Sequence, residues 1–512
     1  MRQRDRLIIN VVSNYFTLLI YGGANFFLAA YAIRKLGVDA FGLVSLVMSF
    51  TVLTELIGRG GCQSFTKYAA ESFTREDYYE LNRLFNTGFA WFVVCGIIGG
   101  MIYLVIGEYY IQEFNVPEEF FFEAKWAMRL LALRVILGFP LNSFQSILFA
   151  QQRHDLVNLS KCLAVIVRIL GIVLYFQLIR PGVLPLVFIT IISIIFERIL
   201  WIFYTYRSTK HLRWGVSQLS RRAIVMLLSF GTVIMIIDVA NMVGYEAVKW
   251  IIGLELTLID VGAYTLIATI AAFIGGLVRS VAGVIMPAAS RYHTLQQYEK
   301  NAKLSLLATK YSMILASGLC IVPLFLLKPL MELWTGGKYS SDYLVEITWS
   351  GMILLIGQWF ISTAVCILQM LTGMGRIRFP ASVTTLWAFG GVGIMWICMH
   401  WTSATFFSAV VIITIARIVG SALHLTYGIK KIRIPAYQFL TKAILYPSLC
   451  GLIVCISSWF IFQHWRIVDV FGLVLSGMGL FLLYFIITWM VAINSEERKG
   501  VMSKARLLFC KS

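Results

Sequence analysis

From Leu7 to Ile33 the chain reads LIINVVSNYFTLLIYGGANFFLAAYAI, without one Asp, Glu, Lys or Arg. A helix of roughly 20 apolar residues crosses the hydrocarbon core of a bilayer, so this stretch reads as a tilted transmembrane helix. It is far longer than a signal-peptide core, and no small-residue cleavage site follows it. With Arg2, Arg4 and Arg6 ahead of it, the expectation is a retained first span and not a cleaved leader. Comparable runs recur to the end of the chain, and no polar block between them is long enough for a soluble domain.

Composition agrees. Apolar residues make up 59% of the 512 and charged residues 13%, about half the charged share of a soluble protein, and the mean hydropathy is +0.81. The nine cysteines are scattered, with no CxxC and no Cys/His spacing that suits a metal. Free thiols, no cofactor and no metal are therefore expected. Apolar windows place helices near 8–33, 41–66, 84–107, 124–149, 158–178, 184–206, 223–247, 263–289, 306–327, 346–371, 380–400, 404–428, 443–463 and 468–493. The expected fold is an all-α polytopic membrane protein of about 14 transmembrane helices.

The net charge of +18 finds its reason in topology, and no nucleic-acid partner is expected. One alternate series of loops holds Arg207, Lys210, Arg213, Arg221, Arg222, Lys300, Lys303, Arg376, Arg378, Lys430, Lys431 and Arg433, and the basic C-terminal tail joins it. The opposite loops lean acidic, as in Glu108, Glu113, Glu118, Glu119 and Glu123. The positive-inside rule makes the basic side cytoplasmic, with both termini on it.

Sliding the chain against itself brings out a repeat. Ala24-Asn25 meets Ala240-Asn241 and Gly37 meets Gly253 at an offset of 216. Near 220, Arg59 meets Arg279, Ile147-Leu148 meets Ile367-Leu368 and Gly171 meets Gly391; at 219, Arg198-Ile199 meets Arg417-Ile418. Matched intramembrane arginines are rarer than matched leucines, so these pairs weigh most. The expected organisation is an N-lobe of helices 1–6 over residues 1–215, a C-lobe of helices 7–12 over 216–435, and helices 13–14 with a basic tail over 436–512. An even six helices per repeat makes the repeats parallel.

Charges inside hydrocarbon mark function by default. The deep basic residues, all Arg by this reading, are Arg59, Arg134, Arg168, Arg198, Arg279 and Arg417, with Arg129 nearer an end; the acidic ones are Glu55, Glu197 and Asp238. Glu55 and Arg59 stand four apart and suit mutual neutralisation, whereas Glu197 and Arg198 diverge by about 100°. The surplus of arginine implies an anionic guest, and the guanidinium fork suits phosphate. The bland alternative is that several snorkel or tie loops together, and for Arg129 that reading is preferred. Asp238, with Asn241 close by, is an ion-coupling candidate or equally a structural partner of an arginine. His424 reads as an interhelical hydrogen-bonding group. Pro140, Pro287 and the Gly58–Gly61 and Gly275-Gly276 clusters mark sites of kinking or of close packing.

Several short motifs carry a resemblance: Asn14 in helix 1, then Lys35-Leu36-Gly37-Val38-Asp39-Ala40-Phe41-Gly42, Val261-Gly262-Ala263-Tyr264, Met286-Pro287 and Leu333-Trp334-Thr335-Gly336. In order and spacing over about residues 8–430 the chain resembles the polysaccharide transporter, or Wzx-type oligosaccharide flippase, family of the multidrug/oligosaccharidyl-lipid/polysaccharide exporter superfamily. The lipid II flippase branch fits less well, because helix 1 lacks arginine. The resemblance implies two six-helix lobes around a central cavity, with helices 13 and 14 lining a groove for a polyprenyl tail. It also implies a non-enzyme that moves an undecaprenyl-diphosphate-linked O-antigen, capsule or exopolysaccharide unit outward by alternating access. The partners are then the polyprenyl-diphosphate-linked glycan and the bilayer, with glycan polymerase or glycosyltransferases beside them. The competing expectations are an ion-coupled multidrug or cation exporter of the same fold, which calls for an acidic cavity, and a membrane enzyme of glycan assembly, for which no large external loop or catalytic motif is found.

Overall fold

A computed structural model describes residues 3–499 except 216–218, 230–231, 284, 403, 465–468 and 496; within its helices the side chains of 3–9, 11, 54–60, 228–229, 232–236, 283, 322–323 and 461–464 are not described. The described residues are helical and contain no strand. Among the described residues, eleven helices are long and apolar enough to cross a membrane, and Glu118–Gly138 with Asn142–Ala150, bent by 46°, makes a twelfth if counted as one span. These twelve match expected spans one for one. The other two expected spans fall elsewhere in the element order: that near 41–66 lies where Val38–Ser49 gives way to Thr51–Thr74 at Phe50, and that near 223–247 lies on Arg221–Ser229 and Thr232–Glu255, with 230–231 outside the described residues. The all-α, multi-pass membrane architecture is thus borne out. Large apolar side chains of the last span, such as Phe471, Leu482, Phe485 and Met490, lie exposed, as on a helix whose outer face meets lipid.

The chain divides into two compact units, Met1–Thr269 with Thr384–Ala409, and Ile270–Val383 with Val410–Ser512. In the first lie α1 (Gln3–Leu36), α2 (Val38–Ser49), α3 (Thr51–Thr74), α4 (Tyr78–Val105), α5 (Phe121–Gly138), α6 (Asn142–Ala150), α7 (His154–Leu178), α8 (Val183–Ser208), α9 (Arg221–Ser229), α10 (Thr232–Glu255) and the start of α11 (Leu258–Gly283). Asp77 caps α4 by accepting from the Glu80 N–H at 2.9 Å, the role its short carboxylate suits. The motif glycines have a steric reason. Gly37 takes φ +92° between α1 and α2, a conformation that penalises any Cβ. Gly42 lies directly against the Leu258 carbonyl of α11, and a Cβ on Gly262 would sit 3.4 Å from the Gly42 backbone and 3.3 Å from Phe41. The two motif segments quoted above therefore pack on each other. Nearby, the Trp250 indole donates to Ser49 at 2.8 Å and stacks on Phe50.

The second unit holds the rest of α11, α12 (Ile285–Thr294), α13 (Tyr298–Thr335), α14 (Ser341–Gly373) and most of α15 (Arg378–Thr385); α16 (Gly391–Trp401) belongs to the first unit, and α17 (Phe406–Ile432) lies mainly in the second. It closes with α18 (Ala436–Gln438), α19 (Tyr446–His464) and α20 (Val470–Val491). Gly336 ends α13 in the left-handed region, φ +64°, with its N–H on Glu332 O at 3.0 Å, which accounts for the glycine of Leu333-Trp334-Thr335-Gly336. Tyr484 of α20 is fully buried and donates to the Ile314 carbonyl at 2.9 Å. Beyond α20, Glu497 accepts from Lys310 Nζ at 2.7 Å, and Lys310 is 3% exposed. Arg498 donates to the Ile493 and Met490 carbonyls and so closes the end of α20.

Removing one partner of a buried ion pair strands the other charge, at a cost of about 3–5 kcal/mol, whereas an uncharged pair of similar volume is often neutral. Glu497→Ala is therefore expected to lower the unfolding temperature of the detergent-solubilised protein by several degrees. Lys310→Met with Glu497→Gln is expected to restore most of that loss. Thermal unfolding of the single and double variants measures both.

Candidate functional site: a charged cavity in the first unit

A cavity of about 490 Å³ opens among α1, α3, α5, α6, α7, α8 and α10, within the usual range of small-molecule sites, about 300–1,000 Å³. Arg134 of α5, Lys161 of α7, Glu197 and Arg198 of α8 and Asp238 of α10 line it, with Gln63, Asn142 and Gln145 as neutral polar groups. Among the described residues of the lining, three cations and two carboxylates leave one net positive charge when all are ionised. A larger hollow of about 670 Å³ beside Leu174, Leu178 and Phe188 is almost wholly apolar and has no charged group to recognise a headgroup.

A broken helix builds one wall. Pro140 lacks an N–H and ends α5, so the chain turns through Phe139–Leu141 before α6 resumes. The turn brings the Gly138 carbonyl within reach of α8, where Arg198 Nη1 donates to it at 2.9 Å and also to Asn142 Oδ1. Arg198 lies over the Trp201 ring as well. Part of its fork thus satisfies a backbone acceptor that the kink uncovers, while the side chain also lines the cavity.

Arg134 and Lys161 differ. Among the described residues neither makes a hydrogen bond or ion pair, and Glu197 makes none either. Lys161, Arg198, Arg134 and Arg168 nonetheless all lie within electrostatic reach of the Glu197 carboxylate. Arg168 stands seven residues after Lys161 on the same face of α7; it donates to Asn25 Oδ1 at 2.8 Å and lies over Tyr21.

The expected residues thus fall into groups. The structure brings Arg134, Arg198 and Asp238 to one cavity and leaves Arg168 outside its lining, over Tyr21, which does line it. Asn241 is half-buried and outside the cavity lining. Arg279 and Arg417 belong to the second unit, where Arg279 is exposed beside Gly275 and Gln358 and Arg417 is 5% exposed. The side chains of Arg59 and Glu55 lie outside the described residues. Arg129 pairs with Glu108 at 2.6 Å, in line with its structural reading, and buried His424 bonds the Pro380 carbonyl at 3.1 Å, as an interhelical histidine should. One reading needs correction: the deep basic groups are not all arginine. Lys161 lines the cavity, and α7 begins at His154, a turn earlier than its apolar run suggests, so Lys161 stands two turns inside the helix.

A family model described as "Polysaccharide biosynthesis protein" matches residues 33–341. The chain belongs to this family. In fold this polysaccharide biosynthesis protein is similar to transporters of solved structure. A lipid II flippase, MurJ, in an inward closed conformation superposes with a TM-score of 0.71 at 14% identity over 94% of this chain and 99% of that one. An inward-facing multidrug resistance MATE transporter of the MOP superfamily gives 0.69 at 14% identity, over 83% and 98%. A MOP superfamily transporter from Pyrococcus furiosus, described as having a binding pocket of reverse polarity, gives 0.56 at 14% identity, over 83% and 95%. No curated protein matches by sequence.

Proposed function

We propose that this polysaccharide biosynthesis protein is a flippase that carries an undecaprenyl-diphosphate-linked oligosaccharide, an O-antigen, capsule or exopolysaccharide unit, from the cytoplasmic to the outer leaflet by alternating access. The observation that carries the reading is the cavity in which Arg134 and Lys161 stand uncommitted beside Arg198. Phosphate oxygens accept charge-assisted hydrogen bonds from such groups, each contributing about 1.5–3 kcal/mol. The lipid tail stays in the bilayer while the headgroup crosses. Arg59, Arg168, Arg279 and Arg417 complete the cationic path in this proposal, and Asp238 with Asn241 is its ion-coupling candidate. The lobes of 1–215 and 216–435 alternate, with 436–512 serving the lipid tail and both termini in the cytoplasm of an inner membrane. Glycan polymerase and glycosyltransferases act on either side of the step, and the chain itself is no enzyme.

The fold likeness to MATE transporters favours a second reading, an ion-coupled multidrug exporter. The sign of the cavity separates the two, since a cationic drug gains nothing from three cations in the lining. Deleting the gene in its native host is expected to trap lipid-linked glycan on the cytoplasmic face, and wild type restores its export. Leaflet-resolved profiling of undecaprenyl-linked sugars reads this out. An unchanged distribution together with new sensitivity to cationic drugs counts for the exporter.

A further inference from the structure

We infer that Glu197 is an exchangeable counterion, which balances the cavity cations while the site is empty and takes up one proton when an anionic headgroup binds. The inference rests on the anionic-headgroup reading above and adds how that site handles charge. Glu197 is placed to answer to the same cations a diphosphate would engage: Arg198 from its own helix, Arg134 from α5, and Lys161 and Arg168 from α7. It makes no hydrogen bond or ion pair among the described residues, so no direct contact must break for a guest to take its place. Asp238 faces the same space from α10 but has an interaction of its own. Tyr21 from α1 and Cys62 from α3 are the other titratable groups of the described lining, and Gln63, Asn142 and Gln145 are neutral.

Charge balance gives the direction. The described residues of the lining carry one net positive charge when ionised, whereas a diphosphate ester brings two or more negative charges. Binding without compensation would leave net negative charge in a water-poor cavity, which is costly. Once the diphosphate draws the guanidinium and ammonium groups to itself, the Glu197 carboxylate loses their support and its charged form is disfavoured. A proton from water adds to a carboxylate oxygen; no other bond forms or breaks, and the site returns towards neutrality. By linkage, protonation of Glu197 and headgroup binding strengthen each other equally.

The test uses the full-length protein in lipid nanodiscs with farnesyl diphosphate as the probe. Calorimetry in two buffers of different ionisation enthalpy, near neutral pH, gives the protons taken up per ligand bound. Wild type is expected to take up about one proton more than Glu197→Gln; the ligand's own titration is common to both proteins and cancels in the difference. Equal uptake by the two, with binding intact, overturns the counterion role and leaves the cationic cavity standing. Should Glu197→Gln not fold, the infrared difference spectrum of wild type decides: a protonated-carboxyl band appearing with ligand supports the inference, and its absence overturns it. Failure of farnesyl diphosphate to bind, or unchanged binding after Arg134→Ala with Lys161→Ala, overturns the anionic-headgroup reading itself and this inference with it.

Discussion

Replacing Arg134 and Lys161 together by alanine is expected to reduce headgroup affinity by about a hundredfold or more and to end complementation of glycan export in a deletion host. The magnitude follows from two charge-assisted hydrogen bonds at about 1.5–3 kcal/mol each, with tenfold for every 1.4 kcal/mol. Neither residue makes a hydrogen bond or ion pair among the described residues, so their loss should leave the protein assembled; membrane abundance and unfolding temperature check that. Arg129→Ala is the matched control, because Arg129 is taken up by Glu108 at 2.6 Å and stands outside the cavity lining. It should complement like wild type. Equal loss of export in the control would place the effect in general charge and not in the cavity.

The second large effect is steric. Gly42→Ala puts a Cβ onto the Leu258 carbonyl of α11, closer than any real contact, and the obstacle is backbone that cannot rotate aside. Overpacking of well-packed helices costs about 1–3 kcal/mol, occasionally more, and here it separates the motif segments around Gly42 and Gly262. The variant is expected to lose most of its folded yield and to unfold at least several degrees below wild type. Gly23→Ala makes the same chemical change in α1 where nothing lies within 4 Å of the new Cβ, and there the helix should gain up to about 1 kcal/mol. Fluorescence size-exclusion and thermal unfolding of the two variants, side by side, measure the contrast.

How much of this is legible in the residues depends on the range of the interaction. Spans such as Val470–Val491 are decided by twenty-odd apolar neighbours, and all twelve continuous or bent spans stand where hydropathy puts them. The bend at Pro140 follows from a missing N–H, which is also local. The partners of the site are long-range. Nothing near Arg198 in sequence says that it serves the Gly138 carbonyl sixty residues away. Lys161 was within reach of sequence reasoning, since its seven-residue spacing from Arg168 puts both on one face of a helix. It escapes because apolar content starts α7 too late and leaves Lys161 looking like an end residue free to snorkel. The motif glycines show the reverse case: Gly42 and Gly262 are conspicuous in the sequence, yet their reason, a crossing of α2 and α11, appears only in the fold.

The most direct test of the cationic flippase account is translocation by the purified protein alone. Full-length protein is reconstituted into liposomes with a fluorescent undecaprenyl-diphosphate-linked oligosaccharide, and a membrane-impermeant quencher reports its access to the outer leaflet over time. The account predicts exchange at least about tenfold faster than in vesicles carrying the Arg134→Ala, Lys161→Ala variant, a difference of about 1.4 kcal/mol or more, and no faster movement of a cationic dye. Exchange at the same rate in wild-type, variant and protein-free vesicles, with the cationic dye transported by wild type, would contradict it.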